Sequence, residues 1–410
     1  MIRFLLPLLL LPIFLNANLT YAANHNKEIS LLESFDIESS FLYDPLMNKM
    51  KNKNSAFYKN RHFFKAMDKA YIFIPSIKNI LTENGIPAEF LYLAMAESNF
   101  STRAYSKKRA SGLWQFMPAT AKFYGLKIDE YVDERRDLIK STNAAAKYLT
   151  QLHKRFGKWY LAAIAYNCGG GRLSKAIKRA GSDDLAILLD PKKKYIPRES
   201  RFYIRKIVAL AMIGQDEKFL MNSEYEHLLN RANAYSISTV QLSSGDSLKR
   251  LSKTVGIPLS ELKKLNRQLK YDFVPPYATE YDIYIPYIKL SEFKQKYSPQ
   301  PMKNIYKVYV VQKGDNLSYI GKKYGVSYRV IKDFNNLKTT RLRLKQKLII
   351  PIDSRAKAKN IDSNYYYRVK KGDTLGSISR AYKVSVHNLK LQNHLKSSMI
   401  RVGDRLKINE

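Results

Sequence analysis

Tyr309–Ile350 and Tyr367–Ile408 are two copies of one pattern that align at a constant offset of 58 without a gap. Gly314, Asp315, Leu317, Ile320, Tyr324, Val326, Asn335 and Leu348 recur as Gly372, Asp373, Leu375, Ile378, Tyr382, Val384, Asn393 and Leu406. A gapless repeat of this size confines each copy to one small supersecondary unit, so the C-terminal part of the chain cannot share a single large core. Each copy has short alternating apolar runs at its ends, two short helical segments between them, and Gly-Asp at the first turn. The unit reads strand, turn, helix, loop, helix, strand, a small βααβ module. A degenerate third copy precedes these two. Gly245, Asp246, Leu248 and Asn266 keep the spacing from Gly-Asp to Asn, but the closing strand Tyr281–Ile285 comes about four residues late, after Pro275 and Pro276. The joins Lys296–Asn304 and Asp353–Asn364 have the polar composition of linkers, which predicts modules strung on a flexible tether.

A chain of 410 residues exceeds one ordinary core and implies about two to four domains. Residues 1–22 read as a secretory signal peptide, since Arg3 precedes the apolar run Phe4–Leu15 and small residues follow at Ala22 and Ala23. That run is too short to cross a bilayer, so no integral membrane span is expected once the signal is removed. No cysteine lies near the cleavage region, which speaks against a lipid anchor. The only cysteine is Cys168, so no internal disulfide forms, and with no histidine near it in sequence its expected role is packing. The formal net charge is +36, from 71 Lys and Arg against 35 Asp and Glu. Such a field attracts polyanions. Inside a cell that polymer would be nucleic acid; for an exported protein it is the cell wall, and no nucleic-acid partner is expected. Nothing in the sequence specifies an oligomeric state.

From Tyr71 to about Gly214 the pattern is helical throughout. Gly85, Ile86 and Pro87 punctuate the start of a helix on which Phe90, Leu93, Ala94 and Glu97 share one face. A carboxylate on that face meets hydrocarbon, which raises its pKa toward what a general acid at neutral pH requires. On position alone, Glu97 reads equally as a solvent-reaching residue at a helix end. Ser141 or Thr142 is placed to cap a helix carrying Ala145, Tyr148, Leu149, Leu152 and Phe156, which Gly157 stops. Trp159–Tyr166 form a second apolar helix, with Asn167 suited to its C-terminal cap. Another helix runs from Phe202 to about Ile213, and residues 23–65 are mixed and polar. Asp129, Glu130, Asp133 and Glu134 read as a charged loop.

Around Glu97-Ser98 stand Gly112-Leu113-Trp114-Gln115-Phe116-Met117-Pro118, then Ala165-Tyr166-Asn167-Cys168-Gly169, then Glu199-Ser200-Arg201-Phe202-Tyr203. At these residues, and in this order, the chain resembles the family 1 soluble-type lytic transglycosylases. The C-terminal repeats resemble LysM peptidoglycan-binding modules. The resemblance implies a multidomain protein, an all-α lysozyme-like catalytic domain followed by small α+β (βααβ) LysM modules. The expected organisation is signal peptide 1–22, N-terminal segment 23–65, transglycosylase domain 66–220, degenerate repeat 235–288, and LysM repeats 306–352 and 365–410.

The chemistry implied is cleavage of the bond between N-acetylmuramic acid and N-acetylglucosamine without water. Glu97 would protonate the glycosidic oxygen and then, as carboxylate, take the proton from the C6 hydroxyl that attacks C1. A second carboxylate is unnecessary where the substrate's own N-acetyl group stabilises the positive carbon. By the same resemblance Ser98 and Gln115 orient substrate, Asn167 holds an N-acetyl group, Tyr166 lines the cleft, and Tyr203 bonds the catalytic or substrate groups. Gly112 would allow close approach of a sugar to the backbone. No cofactor and no metal are implied, and the partner is the peptidoglycan glycan strand.

In the repeats, glycan would lie between the loop holding Gly314, Asp315 and Leu317 and the segment Asn336–Lys338, or between Gly372, Asp373 and Leu375 and the segment His394–Lys396. The alternative for Asp315, Asp373, Asn335 and Asn393 is that they cap turns and helices, with neighbouring backbone carrying any binding. The glycine before the closing strand is Gly403 in the last copy and Lys345 in the middle one. Two other functions fit the residues, a goose-type-lysozyme-like hydrolase and a catalytically silent wall-binding protein. Intact Glu97, Gln115 and Asn167 argue against the silent form. Export implies a periplasmic, wall-associated location.

Overall fold

A computed structural model describes residues 25–59, 62–129, 131–216, 237–244, 246–275, 278–299, 304–353, 366–370, 372–382, 385–395 and 397–408. The expected signal peptide, Glu130, Gly245, Pro276, Val384, Lys396, residues 300–303 of the first linker and residues 354–364 of the second lie outside these residues. The described chain divides into two compact units at Pro299.

The first unit begins with helical residues 25–33. The helices α1 Pro45–Lys59, α2 His62–Ala70, α3 Ile74–Glu83 and α4 Leu91–Ser98 follow, then α5 Pro118–Phe123, α6 Leu138–Phe156 and α7 Trp159–Cys168. The helical part closes with α8 Gly170–Ala180, α9 Leu185–Leu188 and α10 Arg198–Gln215. Two of these helices are apolar nearly all round, which only a central position allows. Leu91 to Met95 of α4 and Tyr160 to Ala165 of α7 are all buried. Helix α10 packs against both, and against α1, through a continuous buried run from Tyr203 to Ile213 that only Lys206 interrupts.

Residues ahead of 66 belong to this same core. Leu31, Leu32, Phe35, Met47 and Phe63 are buried in it, Phe35 meets the Phe90 ring at 5.2 Å, and Arg205 forks onto Asp44 at 2.8 Å and 3.0 Å. The apolar residues of 23–65 come in short groups such as Leu31-Leu32, Phe41-Leu42 and Phe63-Phe64 set among polar ones, which hides these contacts in the segment's mixed composition.

Helix α6 starts earlier than its expected caps. Asp137 is the N-cap, its carboxylate accepting from Lys140 N at 2.8 Å, while Ser141 and Thr142 are buried inside the helix. The apolar stripe extends back to Leu138, and a carboxylate caps the helix dipole well. Asn167 is not a cap either: α7 runs one residue further and Gly169, at φ 88°, ends it.

The first βααβ module pairs β1 Ile237–Ser243 with β2 Glu280–Pro286, antiparallel, and places α11 Leu248–Val255 and α12 Leu259–Leu265 between them. It is not tethered loosely. Tyr284 Oη donates to Asp137 at 2.7 Å, Tyr281 Oη donates to Glu134 at 2.9 Å, and Ile237, Leu265 and Tyr284 are part of the helical core. The residues that delay its closing strand make this attachment: Asp133 N donates to Gln268 O and Lys270 N to Tyr131 O, both at 2.8 Å. The same loop folds over the module's first turn, with Leu248 N bonded to Asp272 O and Val274 N to Asp246 O. Helix α13 Leu290–Lys296 also stays with this module, through Tyr297 Oη to Asp246 at 2.9 Å.

In the second unit β3 Asn304–Val310 pairs with β4 Lys347–Asp353 around α14 Leu317–Tyr324 and α15 Tyr328–Phe334. β5 Tyr366–Arg368 pairs with β6 Arg405–Lys407 around α16 Leu375–Tyr382 and α17 Val386–Gln392. The repeated polar residues hold these folds. Asn335 donates to Ile331 O and Ile349 O and accepts from Ile349 N; Asn393 repeats this with Leu389 and Lys407. Asp315 accepts from Tyr309 Oη and Gln312 N, and Asp373 from Tyr367 Oη and Lys370 N. Leu317 and Leu375 are core residues, and Gly314 and Gly372 take φ 93° and 89° at exposed turns. Lys345 adopts the left-handed conformation of its counterpart Gly403, so the turn survives the change of residue.

Candidate active site

The site forms where the last turn of α4 meets α10 and α7. Glu97 follows five buried residues, Leu91 to Met95, that anchor α4, and the helix ends at Asn99 in the left-handed conformation, which turns the chain away one residue beyond Ser98. Tyr203 of α10 is 8 % exposed, and its hydroxyl donates to Glu97 Oε1 at 2.6 Å. Three residues on, and so on the same face of α10, Lys206 Nζ donates to the carbonyl of Ala96 at 2.9 Å. Burial pushes the Glu97 carboxyl above its ordinary range; the Tyr203 hydrogen bond and the Lys206 charge oppose this, and the Glu199 charge reinforces it. Burial, then the Glu97 charge, drives the hydroxyls of Tyr203 and Tyr166 well above the usual tyrosine range.

The loop 109–116 is held against α4 from several sides. Ser98 Oγ donates to Leu113 O at 2.7 Å, Tyr166 Oη donates to Trp114 O at 2.8 Å, and Trp114 Nε1 donates to Thr142 at 3.0 Å inside the core. Arg135 clamps its two ends, donating to Arg109 O at 2.6 Å and Phe116 O at 3.2 Å while Asp133 holds its guanidinium bidentately. Gly112, at φ 82°, lies so close to Arg135 that a Cβ would sit 1.7 Å from its carbonyl oxygen. The expectation that this glycine admits a sugar is therefore replaced by a packing requirement. Gln115 stands at φ 49° and donates to Gly112 O at 2.8 Å.

Asn167 sits on α7 facing α10, where its Oδ1 accepts from Ser200 Oγ at 2.7 Å. Its Nδ2 makes no hydrogen bond among the described residues. Of the expected site residues, Glu97 and Tyr203 meet directly, Ser98 and Tyr166 tie the loop carrying Gln115 to the helices beneath it, and Asn167 is oriented by Ser200. Asp133 and Glu134, expected in a charged loop, are buried and structural, with Lys140 at 2.8 Å from Glu134. Burial pushes the Cys168 thiol up, away from a nucleophile's requirement. Sequence reasoning missed Lys206, Ser200 and Arg135. Ser200 lies within a quoted motif and Lys206 one helical turn beyond it, so helical spacing from Tyr203 was the available signal. No cluster of His, Cys, Asp and Glu suited to a metal occurs among the described residues.

The fold and site define a helical lysozyme-like domain in which a half-buried acid, Glu97, meets Tyr203, and residues 75–188 match the transglycosylase SLT domain. Residues 309–351 and 367–409 match the LysM domain, and 236–301 match the LysM-like domain of lytic transglycosylase MltD. The chain thus joins a transglycosylase SLT domain to LysM-type domains. It is 29 % identical over 383 residues to membrane-bound lytic murein transglycosylase D of Escherichia coli (strain K12), covering 88 % of this chain and 82 % of that one. Cell wall-binding protein YocH of Bacillus subtilis (strain 168) is 35 % identical over 98 residues, 24 % of this chain and 32 % of that protein. Among solved structures, the 70 kDa soluble lytic transglycosylase of Escherichia coli aligns at 22 % identity and a TM-score of 0.28, covering 36 % of this chain and 24 % of its own.

Proposed function

We propose that the protein cleaves the β-1,4 bond between N-acetylmuramic acid and N-acetylglucosamine in peptidoglycan without water, leaving 1,6-anhydro ends. One observation carries this reading: a single carboxyl at the end of a buried helix, raised by burial and held by Tyr203. Protonated Glu97 gives its proton to the glycosidic oxygen as the bond to C1 breaks. The carboxylate left behind accepts the proton of the C6 hydroxyl as that oxygen closes on C1, so atoms and charge balance and Glu97 is regenerated. Tyr203 fixes the carboxyl by bonding one oxygen. Asn167 presents its free Nδ2 to an N-acetyl carbonyl, and Gln115 and Ser98 set the loop that positions the sugar. The two terminal repeats bind glycan through the exposed turns at Gly314 and Gly372. The protein acts after export, in the periplasm, where its basic surface favours the anionic wall. Mass spectrometry of muropeptides released from purified sacculi tests the reaction. Products lighter by one water than hydrolytic ones are expected; fully hydrated reducing ends would establish a hydrolase instead.

A further inference from the structure

We infer that Lys206 is a positioning residue for Glu97: its ammonium ties the end of α4 to α10 and supplies the positive charge under which Glu97 gives up and regains its proton. This rests on the reading of Glu97 as acid and base. Helix α4 ends at Ser98, so the Ala96 carbonyl has no partner within its own helix and accepts from Lys206 Nζ instead. A lysine at a helix C-terminus also meets the negative end of the dipole. The tie fixes the residue immediately before Glu97, on the same face of α10 that carries Tyr203.

The groups acting on Glu97 are Tyr203, Lys206 and Glu199 from α10, and the Glu97 charge in turn acts on Tyr166 of α7. Lys206 is the cation of this set, and Glu199 is exposed. Protonating the leaving oxygen turns a neutral carboxyl into a carboxylate in a half-buried setting. A fixed positive charge stabilises that carboxylate as it develops, which lowers the barrier of the first step. Because the ammonium is bonded to the backbone and Tyr203 takes Oε1, Lys206 acts through its field and leaves the acid protonated at the start. Burial lowers the Lys206 ammonium's own pKa and the Glu97 charge lifts it, so the two groups influence each other reciprocally.

The test uses the full chain with Lys206→Met, Lys206→Gln and Lys206→Arg. The Glu97 carboxyl is titrated by carbon NMR, its signal assigned by its loss in Glu97→Gln, and kcat is followed against pH on soluble glycan strands. In Met and Gln variants the Glu97 midpoint and the alkaline limb of kcat should move to higher pH. Their kcat should fall about tenfold with KM little changed, a fraction of what general acid–base catalysis supplies. Arginine should restore both. An unmoved Glu97 midpoint in folded Met and Gln variants would overturn the inference. So would a loss of kcat that follows melting temperature alone. A folded Glu97→Gln protein that still releases product sinks the acid–base reading, and the titration separates that result because it needs no turnover.

Discussion

Tyr203 Oη donates to Glu97 Oε1 at 2.6 Å across 106 residues of sequence. The bond joins the last turn of one buried helix to the second turn of another, and the apolar packing between α4 and α10 sets its length. A hydrogen bond to the carboxylate form strengthens the acid that burial weakens. Burial thus favours the protonated form of Glu97, and the Tyr203 bond opposes it, a balance that suits the acid and base role proposed for Glu97.

Replacing Glu97 with Gln keeps the shape and removes the proton, so sacculus-solubilising activity should be lost while circular dichroism and wall binding are retained. In the unaltered protein, activity should decline as pH rises through the raised Glu97 pKa. Activity that stays constant into strongly alkaline solution would contradict the assignment.

Tyr203→Phe removes the bond that favours the carboxylate. The Glu97 pKa should rise further and the alkaline limb should move up, with turnover falling roughly ten- to hundredfold, the worth of one hydrogen bond to a charged group. Steady-state rates across pH read both effects. An unshifted limb would mean the tyrosine serves packing alone.

Burial raises the Asp137 carboxyl to about 7, against its ordinary 3.8, even though it accepts from Tyr284 Oη and Lys140 N. The folded state therefore holds this proton more tightly than the unfolded chain. The stability it contributes is present below about 4 and lost as pH rises through 7. Calorimetric melting temperatures should fall across that window, and Asp137→Asn, which keeps the helix cap, should flatten the decline. Parallel curves for the two proteins would refute this.

Ending the chain at Pro299 removes the two terminal repeats and leaves the first module attached to the helical core. Turnover on soluble glycan strands should be preserved and sacculus pelleting at high salt should drop sharply. Ending it at Asp216 also removes Tyr281, Tyr284 and Gln268, leaving Glu134 and Asp137 without their tyrosine donors and Asp133 N without its acceptor, and should lower the melting temperature. Equal pelleting of the first truncation and the full chain would show that the terminal repeats are not the anchor.

The sequence by itself determined the βααβ repeats, the helical character of the catalytic region, and the face of α4 on which Glu97 lies. Those features follow from local spacing: a period near 3.6, alternation in short strands, and turn residues at fixed offsets. The motif residues Glu97, Gln115, Asn167 and Tyr203 were legible by resemblance, but their partners were not. Pairing Tyr203 with Glu97, Lys206 with Ala96, or Ser200 with Asn167 requires knowing how α4, α7 and α10 cross. That crossing is decided by packing among residues far apart in the chain. The same holds for the first module, whose extra loop reads as degeneration along the sequence. Only the tertiary structure made it an attachment, because Tyr281 and Tyr284 bury their hydroxyls by donating to Glu134 and Asp137 on the helical core.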